Sequence, residues 1–138
     1  MMSFSFLRTT VLAVILSGCV APPPEQGDAP QGSAAFAGTV RKVIDGDTFA
    51  LQGESRRIRV WGLDAPEWNR PGGADATATM RQLVAGRRLQ CSQRDIDRYG
   101  RIVAQCILPD GRDLAAVMIR AGVATGYCRF SRGYYGTC

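Results

Sequence analysis

Three short runs between Thr39 and Leu63 leave this chain little freedom in how it folds. Thr39 to Ile44 is strand-like and stops at Asp45-Gly46-Asp47, and Thr48 to Leu51 stops at the tight turn Gln52-Gly53-Glu54. Arg56 to Leu63 then alternates, with Ile58 and Val60 on one side and Arg57, Arg59 and Trp61 on the other. Strands this short, joined by turns this brief, form a meander.

The same stretch carries charges that a meander does not require. Asp45 and Asp47 flank a glycine, Asp64 and Glu67 bracket Ala65-Pro66, and Arg59 stands between the pairs. Residues two apart in extended chain project from one side, so Asp45 and Asp47 share a face. Pro66 fixes the backbone between Asp64 and Glu67. Two carboxylate pairs at strand ends can converge on a hard cation such as calcium. Asp-Gly-Asp is also ordinary turn chemistry, and spacing alone leaves both readings open. Arg59 presents a planar fork of donors suited to a phosphate, although a barrel arginine can equally snorkel to solvent. Strict alternation puts Asp64 on the face opposite Arg59. Their convergence requires a bulge or strand end, and Gly62 is the natural place for one.

Further along, Ala76, Met80, Leu83 and Val84 recur at helical spacing after Asp75, which the pattern predicts as N-cap, and Gly86 ends the helix. Strand-like Arg87 to Ser92 and Ile102 to Leu108 flank the turn Asp97-Arg98-Tyr99-Gly100. A second helix starts at Asp113, with Leu114, Val117, Met118 and Ala121 on one face, and Gly122 closes it. Five strands with helices after the third and fifth predict an α+β, mainly β fold. The architecture expected is an OB-type five-stranded Greek-key barrel with two helices. Another small α+β sheet would also satisfy the pattern.

Before Thr39 the chain changes character. One positive charge in Met1 to Arg8, an apolar run from Thr9 to Ile15 and Leu16-Ser17-Gly18-Cys19 form a secretory signal layout, too short to span a membrane. Ending on L-S-G-C, it resembles a bacterial lipoprotein signal, which implies that Cys19 is lipidated and becomes the mature N-terminus; an ordinary cleaved signal and an uncleaved anchor are the alternative readings. Ala21 to Ala35 is rich in Pro, Gly and Ala and cannot bury itself. The expected organisation is a signal peptide over 1–18, a lipidated N-terminus and flexible linker over 19–35, and a folded domain over 36–138. The expected location is the bacterial envelope, periplasmic or at the cell surface, for a monomer touching membrane only through its lipid.

Export also bears on the cysteines. Beyond Cys19 four remain, Cys91, Cys106, Cys128 and Cys138, an even number with three pairings. A hairpin centred between Arg98 and Tyr99 sets Cys91 opposite Cys106, within disulfide reach, and leaves Cys128 for Cys138. Histidine is absent, which excludes every mechanism that needs imidazole. The formal charge is +5 and all basic residues but Lys42 are arginine, a balance suited to a polyanionic partner.

Three ordered motifs then resemble one family. "IDGDT" (Ile44 to Thr48), "RVWGLDAPE" (Arg59 to Glu67) and "DRYGR" (Asp97 to Arg101) are similar to the thermonuclease, or staphylococcal-nuclease-like, family. "DLAAVMIRAGVA" (Asp113 to Ala124) resembles its second helix. The resemblance implies a calcium-dependent endonuclease, a phosphodiesterase acting on DNA and RNA. It implies Asp47 and Asp64 as calcium carboxylates, the Ala65 carbonyl as a further ligand and Asp45 as a nearby acid. It implies Glu67 as general base, Arg59 and Arg101 on the scissile phosphate, and Arg98 and Tyr99 at a terminal phosphate. Tyr127 and Phe130 are candidates for an aromatic wall beside a base, and equally for core or lid residues. Three departures stand out: Ala65 replaces a threonine, the Trp68 to Gly73 loop is short, and the match fades after Ala124. A nucleic-acid-binding OB module without catalysis, and a structural envelope lipoprotein, are the rival readings.

Overall fold

A computed structural model describes residues 34–136. Cys19, with the leader and most of the linker expected around it, and Cys138, with the Cys128–Cys138 pairing, lie outside the described residues.

Five strands close into a barrel in the order β1 (Ala35–Val43), β2 (Thr48–Leu51), β3 (Arg57–Val60), β6 (Ile102–Ile107), β5 (Arg88–Ile96). All pairs are antiparallel except β3 with β6. This is the expected five-stranded Greek key. Alternation explains it: Ile58 and Val60 of β3, and Ile102, Ala104 and Cys106 of β6, point into one core with Phe49 and Leu89. Strand β1 begins at Ala35 rather than Thr39, because Ala35 to Thr39 pair with Ser92 to Arg88 and close the barrel. Exposed Lys42, the sequence's one lysine, faces Ala50 across the β1–β2 pair.

β3 stops at Val60 and Gly62 turns the chain at φ +69°. Strand β4 (Leu63–Asp64) then leaves the barrel and pairs with β7 (Thr125–Gly126). Helix α1 (Gly73–Val84) begins earlier than expected, with Gly72 and not Asp75 at its N-cap. Gly72 takes φ +83°, and Gly73 leaves no room for a Cβ beside the Glu67 carbonyl. Asp75 instead sits in the first turn, where a carboxylate complements the helix dipole. Helix α2 (Leu114–Arg120) has the expected cap: Asp113 Oδ1 accepts from the Ala116 N–H at 3.1 Å. A third, one-turn helix, α3 (Cys128–Ser131), adds to the two expected.

Cys91 and Cys106 are joined by a disulfide and buried in the barrel. The pairing is as expected, but the turn is not centred where the sequence placed it. Ile96 faces Ile102 and Asp95 faces Val103, which centres the hairpin on Tyr99. The register then shifts between Gln93 and Asp95, and this bulge at Arg94 brings Cys91 opposite Cys106. A regular hairpin centred on Tyr99 would have set Cys91 against Ile107.

Candidate active site

The outer face of β2, β3 and β6 carries a cross-strand row, with Thr48 opposite Arg59 and Arg59 opposite Val103. Arg59 is the centre of what gathers there. Its Nη2 lies 3.1 Å from Asp47 Oδ2 and 3.8 Å from Asp64 Oδ1. Its Nη1 donates to the carbonyls of Val60 at 3.0 Å and Leu63 at 2.7 Å. One guanidinium therefore ties the first acidic turn to the second and holds the chain through the turn at Gly62. The strand end at Gly62 is what lets Asp64 reach the arginine's side.

The acidic turn is held as tightly. Asp45 Oδ1 accepts from the Asp47 N–H at 3.1 Å, closing the Asp-Gly-Asp bend. Asp47 is only 8 % exposed; its Oδ1 accepts from the Thr48 hydroxyl at 2.8 Å and its Oδ2 from the Ala65 N–H at 3.3 Å. Burial pushes the Asp47 carboxyl up to about 6; Arg59 opposes that rise and Asp45 adds to it. A side chain at Gly46 would stand 2.7 Å from the Cβ atoms of both Ala65 and Ala76, so the bend seats flush against α1.

Arg101, the residue just before β6, approaches Thr48. Its Nε donates to Asp97 Oδ2 at 2.6 Å, and its Nη1 reaches the Thr48 hydroxyl at 3.4 Å. Burial alone would raise the Asp97 carboxyl, but hydrogen bonds from Arg101 and from the Tyr99 N–H outweigh it and hold it below the usual range. Tyr99, 68 % exposed, has the Arg98 guanidinium 4.9 Å and the Arg101 guanidinium 5.4 Å from its ring centroid. Thr48 thus stands between Asp47 and Arg101, a bridging role that the motif reading did not assign. The only signal in the sequence was adjacency, a threonine hydroxyl directly after an acid, and its burial came from the fold.

A groove of about 650 Å³ runs along this face. It is lined by Arg59, Asp64, Arg98, Tyr99, Arg101 and Tyr127 among others, with Arg94, Arg129 and Phe130 beyond them. Glu67 is exposed on the loop between β4 and α1, and no described residue hydrogen-bonds its carboxylate. The fold brings together Arg59, Asp45, Asp47, Asp64, Ala65 and, through Thr48, Arg101; of these Arg59, Asp64 and Arg101 line the groove, whereas Asp45, Asp47, Ala65 and Glu67 do not. Among the described residues no three His, Cys, Asp or Glu side chains are gathered as a metal cage.

The sequence profile of the staphylococcal nuclease homologues matches residues 57–135. The chain belongs to this staphylococcal nuclease family.

Relatives in the family are similar along most of the domain. A protein of Escherichia coli called an uncharacterized endonuclease is 38 % identical over 100 residues, 71 % of this chain and 65 % of its own length. The micrococcal nuclease of Shigella flexneri is 30 % identical over 113 residues, 75 % of this chain and 62 % of its own. The succinoglycan biosynthesis protein ExoI of Rhizobium meliloti is 35 % identical over 106 residues, 69 % of this chain and 54 % of its own. This chain therefore spans between 54 % and 65 % of the length of these three curated relatives. Asp45 and Asp47 precede the matched family segment, whereas Arg59, Asp64, Glu67, Arg101 and the groove's aromatic residues fall inside it.

Proposed function

We propose that this member of the nuclease family is a calcium-dependent endonuclease that hydrolyses phosphodiester bonds of DNA and RNA. One observation carries the proposal: Arg59 and Arg101 stand on either side of Thr48, with Asp47 and Asp64 both on the Arg59 guanidinium. Cationic forks beside a buried carboxylate, Asp47, and an exposed one, Asp64, suit a reaction in which an anionic nucleophile must approach an anionic phosphate.

The donors present fit calcium and not a soft metal. They are carboxylates, with the Ala65 carbonyl as a candidate, and the chain has no histidine and a disulfide at Cys91 and Cys106. Asp47 and Asp64 would hold the ion, with Asp45 bracing the turn beneath Asp47. When bound, calcium would neutralise phosphate charge and help place the attacking water.

The chain's own residues supply the rest. The Arg59 and Arg101 forks bind the scissile phosphate and oppose the charge that builds on its oxygens during attack. Asp97 holds Arg101 by its Nε, which aims the terminal nitrogens at the cleft. Glu67 acts as general base, accepting the water's proton as the nucleophile forms. Arg98, with Tyr99 and Tyr127, contacts the nucleotide beside the cleaved bond.

The leader supports a second part of the proposal. The protein is exported, lipidated at Cys19, and acts as a monomer on a tether outside the cytoplasm. There, extracellular calcium modules typically work at about 10⁻⁴–10⁻³ M ion. Incubating the protein with plasmid and RNA, in millimolar calcium and then in chelator, tests the activity. Cleavage that stops with chelator is expected. Binding without cleavage in calcium assigns the chain to the non-catalytic reading.

A further inference from the structure

Beyond the residues just given roles, the groove continues to a second basic and aromatic site. Arg94 is the bulged residue of β5, and the bulge turns it outward beside β6. Its guanidinium lies 5.2 Å from the centroid of Trp61, and its Nη2 donates to Gln105 Oε1. No carboxylate among the described residues pairs with it. An exposed arginine that is stacked and oriented but unneutralised has donors left for an anion.

Trp61 is itself fixed. Tyr134 meets it edge-on at 5.3 Å and Tyr135 packs at 5.8 Å. Tyr135 donates its hydroxyl to Asp113 at 3.1 Å, while Gln105 donates to the same carboxylate at 2.7 Å. Arg94, Gln105, Asp113 and Tyr135 thus form one hydrogen-bonded chain from the bulge to the cap of α2. Trp61 also lies in the turn that follows Arg59 on β3, so this second site and the reaction cleft share a rigid support. Both Arg94 and Trp61 line the groove that holds Arg59 and Arg101.

We propose that Arg94 and Trp61 form an additional nucleotide subsite, one that binds a backbone phosphate of a single-stranded DNA or RNA segment beyond the bond that is cut. The inference rests on the nuclease reading for its substrate class. Arg94 takes the phosphate with its free N–H edge, and Trp61 offers apolar surface to the adjoining sugar or unpaired base. A duplex keeps its bases stacked inside and cannot use an aromatic wall, so the subsite favours single strands. The stacking of Arg94 on Trp61 fixes the guanidinium before substrate arrives, which lowers the ordering cost of binding.

The test compares wild type with Arg94→Ala and Arg94→Lys. In chelator, binding of a single-stranded ten-nucleotide DNA is measured across a salt series. The Arg94→Ala variant should bind roughly fivefold more weakly and show a log K against log salt slope smaller by about 0.7, one phosphate on a single strand. The Arg94→Lys variant should keep the slope and lose part of the affinity. In calcium, Arg94→Ala should raise KM on the ten-nucleotide strand and leave cleavage of a dinucleotide unchanged. An unchanged salt slope, or equal loss on the dinucleotide and the longer strand, overturns the subsite. If wild type cleaves neither substrate, the nuclease reading falls, and the salt series in chelator still decides the subsite.

Discussion

Gly73, the first residue of α1, lies against the Glu67 carbonyl with no space for a Cβ between them. The start of the helix therefore sets where the Glu67 backbone runs. Gly73→Ala should displace residues 67–72, lower stability by about 1–3 kcal/mol through overpacking, and slow cleavage more than tenfold. Gly72→Ala is the matched control. A Cβ there meets Pro66 Cγ at an ordinary 3.6 Å, and only the φ of +83° costs, about 1–2 kcal/mol. Urea unfolding with single-turnover cleavage separates the two. Wild-type cleavage by Gly73→Ala would show that α1 does not position Glu67.

Asp47 gives a pH signature. Its carboxyl rises from 3.8 to about 6, so below about pH 3.8 both folded and unfolded states hold the proton and the group contributes nothing. Between those values the folded state keeps a proton that the unfolded state has lost, and stability falls as pH climbs through the window. Above about pH 6 the destabilisation is complete. In chelator, Asp47→Asn should remove this fall. Subtracting the variant's pH–stability curve from that of wild type isolates the group, and a difference flat from pH 4 to 7 would contradict the assignment.

Kinetics should sort the charged residues by role. Glu67→Gln should slow turnover by roughly 10²- to 10⁴-fold with nucleic acid still bound, the range for a positioned general base. Arg101→Ala should also lose turnover, because its fork opposes charge that develops during attack. Arg98→Ala should mainly weaken binding. A Glu67→Gln variant as fast as wild type removes that residue from the mechanism.

Replacing Cys91 and Cys106 together by alanine should lower stability by about 3 kcal/mol, the chain-entropy value for a loop of this length. Unfolding of the oxidised protein and the double variant in urea measures it. Equal midpoints would mean that the hairpin holds its register without the bond.

Cys19→Ser should abolish lipid labelling and release the protein from the membrane fraction. Labelling that persists in the variant, or a mature N-terminus elsewhere, would sink the anchor.

Much of this was legible because it was local. The meander, the cap at Asp113 and the break at Gly62 each rest on a few adjacent residues. The start of β1 was not, because Ala35 reads as linker and Phe36 to Gly38 carry no strand pattern until Leu89 to Ser92 pair with them across the barrel. The start of α1 was missed because a glycine pair reads as loop, and only the proximity of Gly73 to Glu67 explains it. Cys91 and Cys106 were paired correctly from a turn placed half a residue away, an error that the Arg94 bulge cancelled. In the site, Arg59 with Asp64 followed from alternation plus a glycine. Tyr135 with Asp113 carried no periodic signal across 22 residues.

Lys42, exposed on β1, does not line the groove, whose cations are all arginines. Amine-directed reagents consequently have a single side-chain target in the sequence, one that lies outside the groove lining. With the α-amino group blocked, a fluorophore or solid support coupled through Lys42 would attach every molecule at the same point and leave all the groove's arginines unmodified.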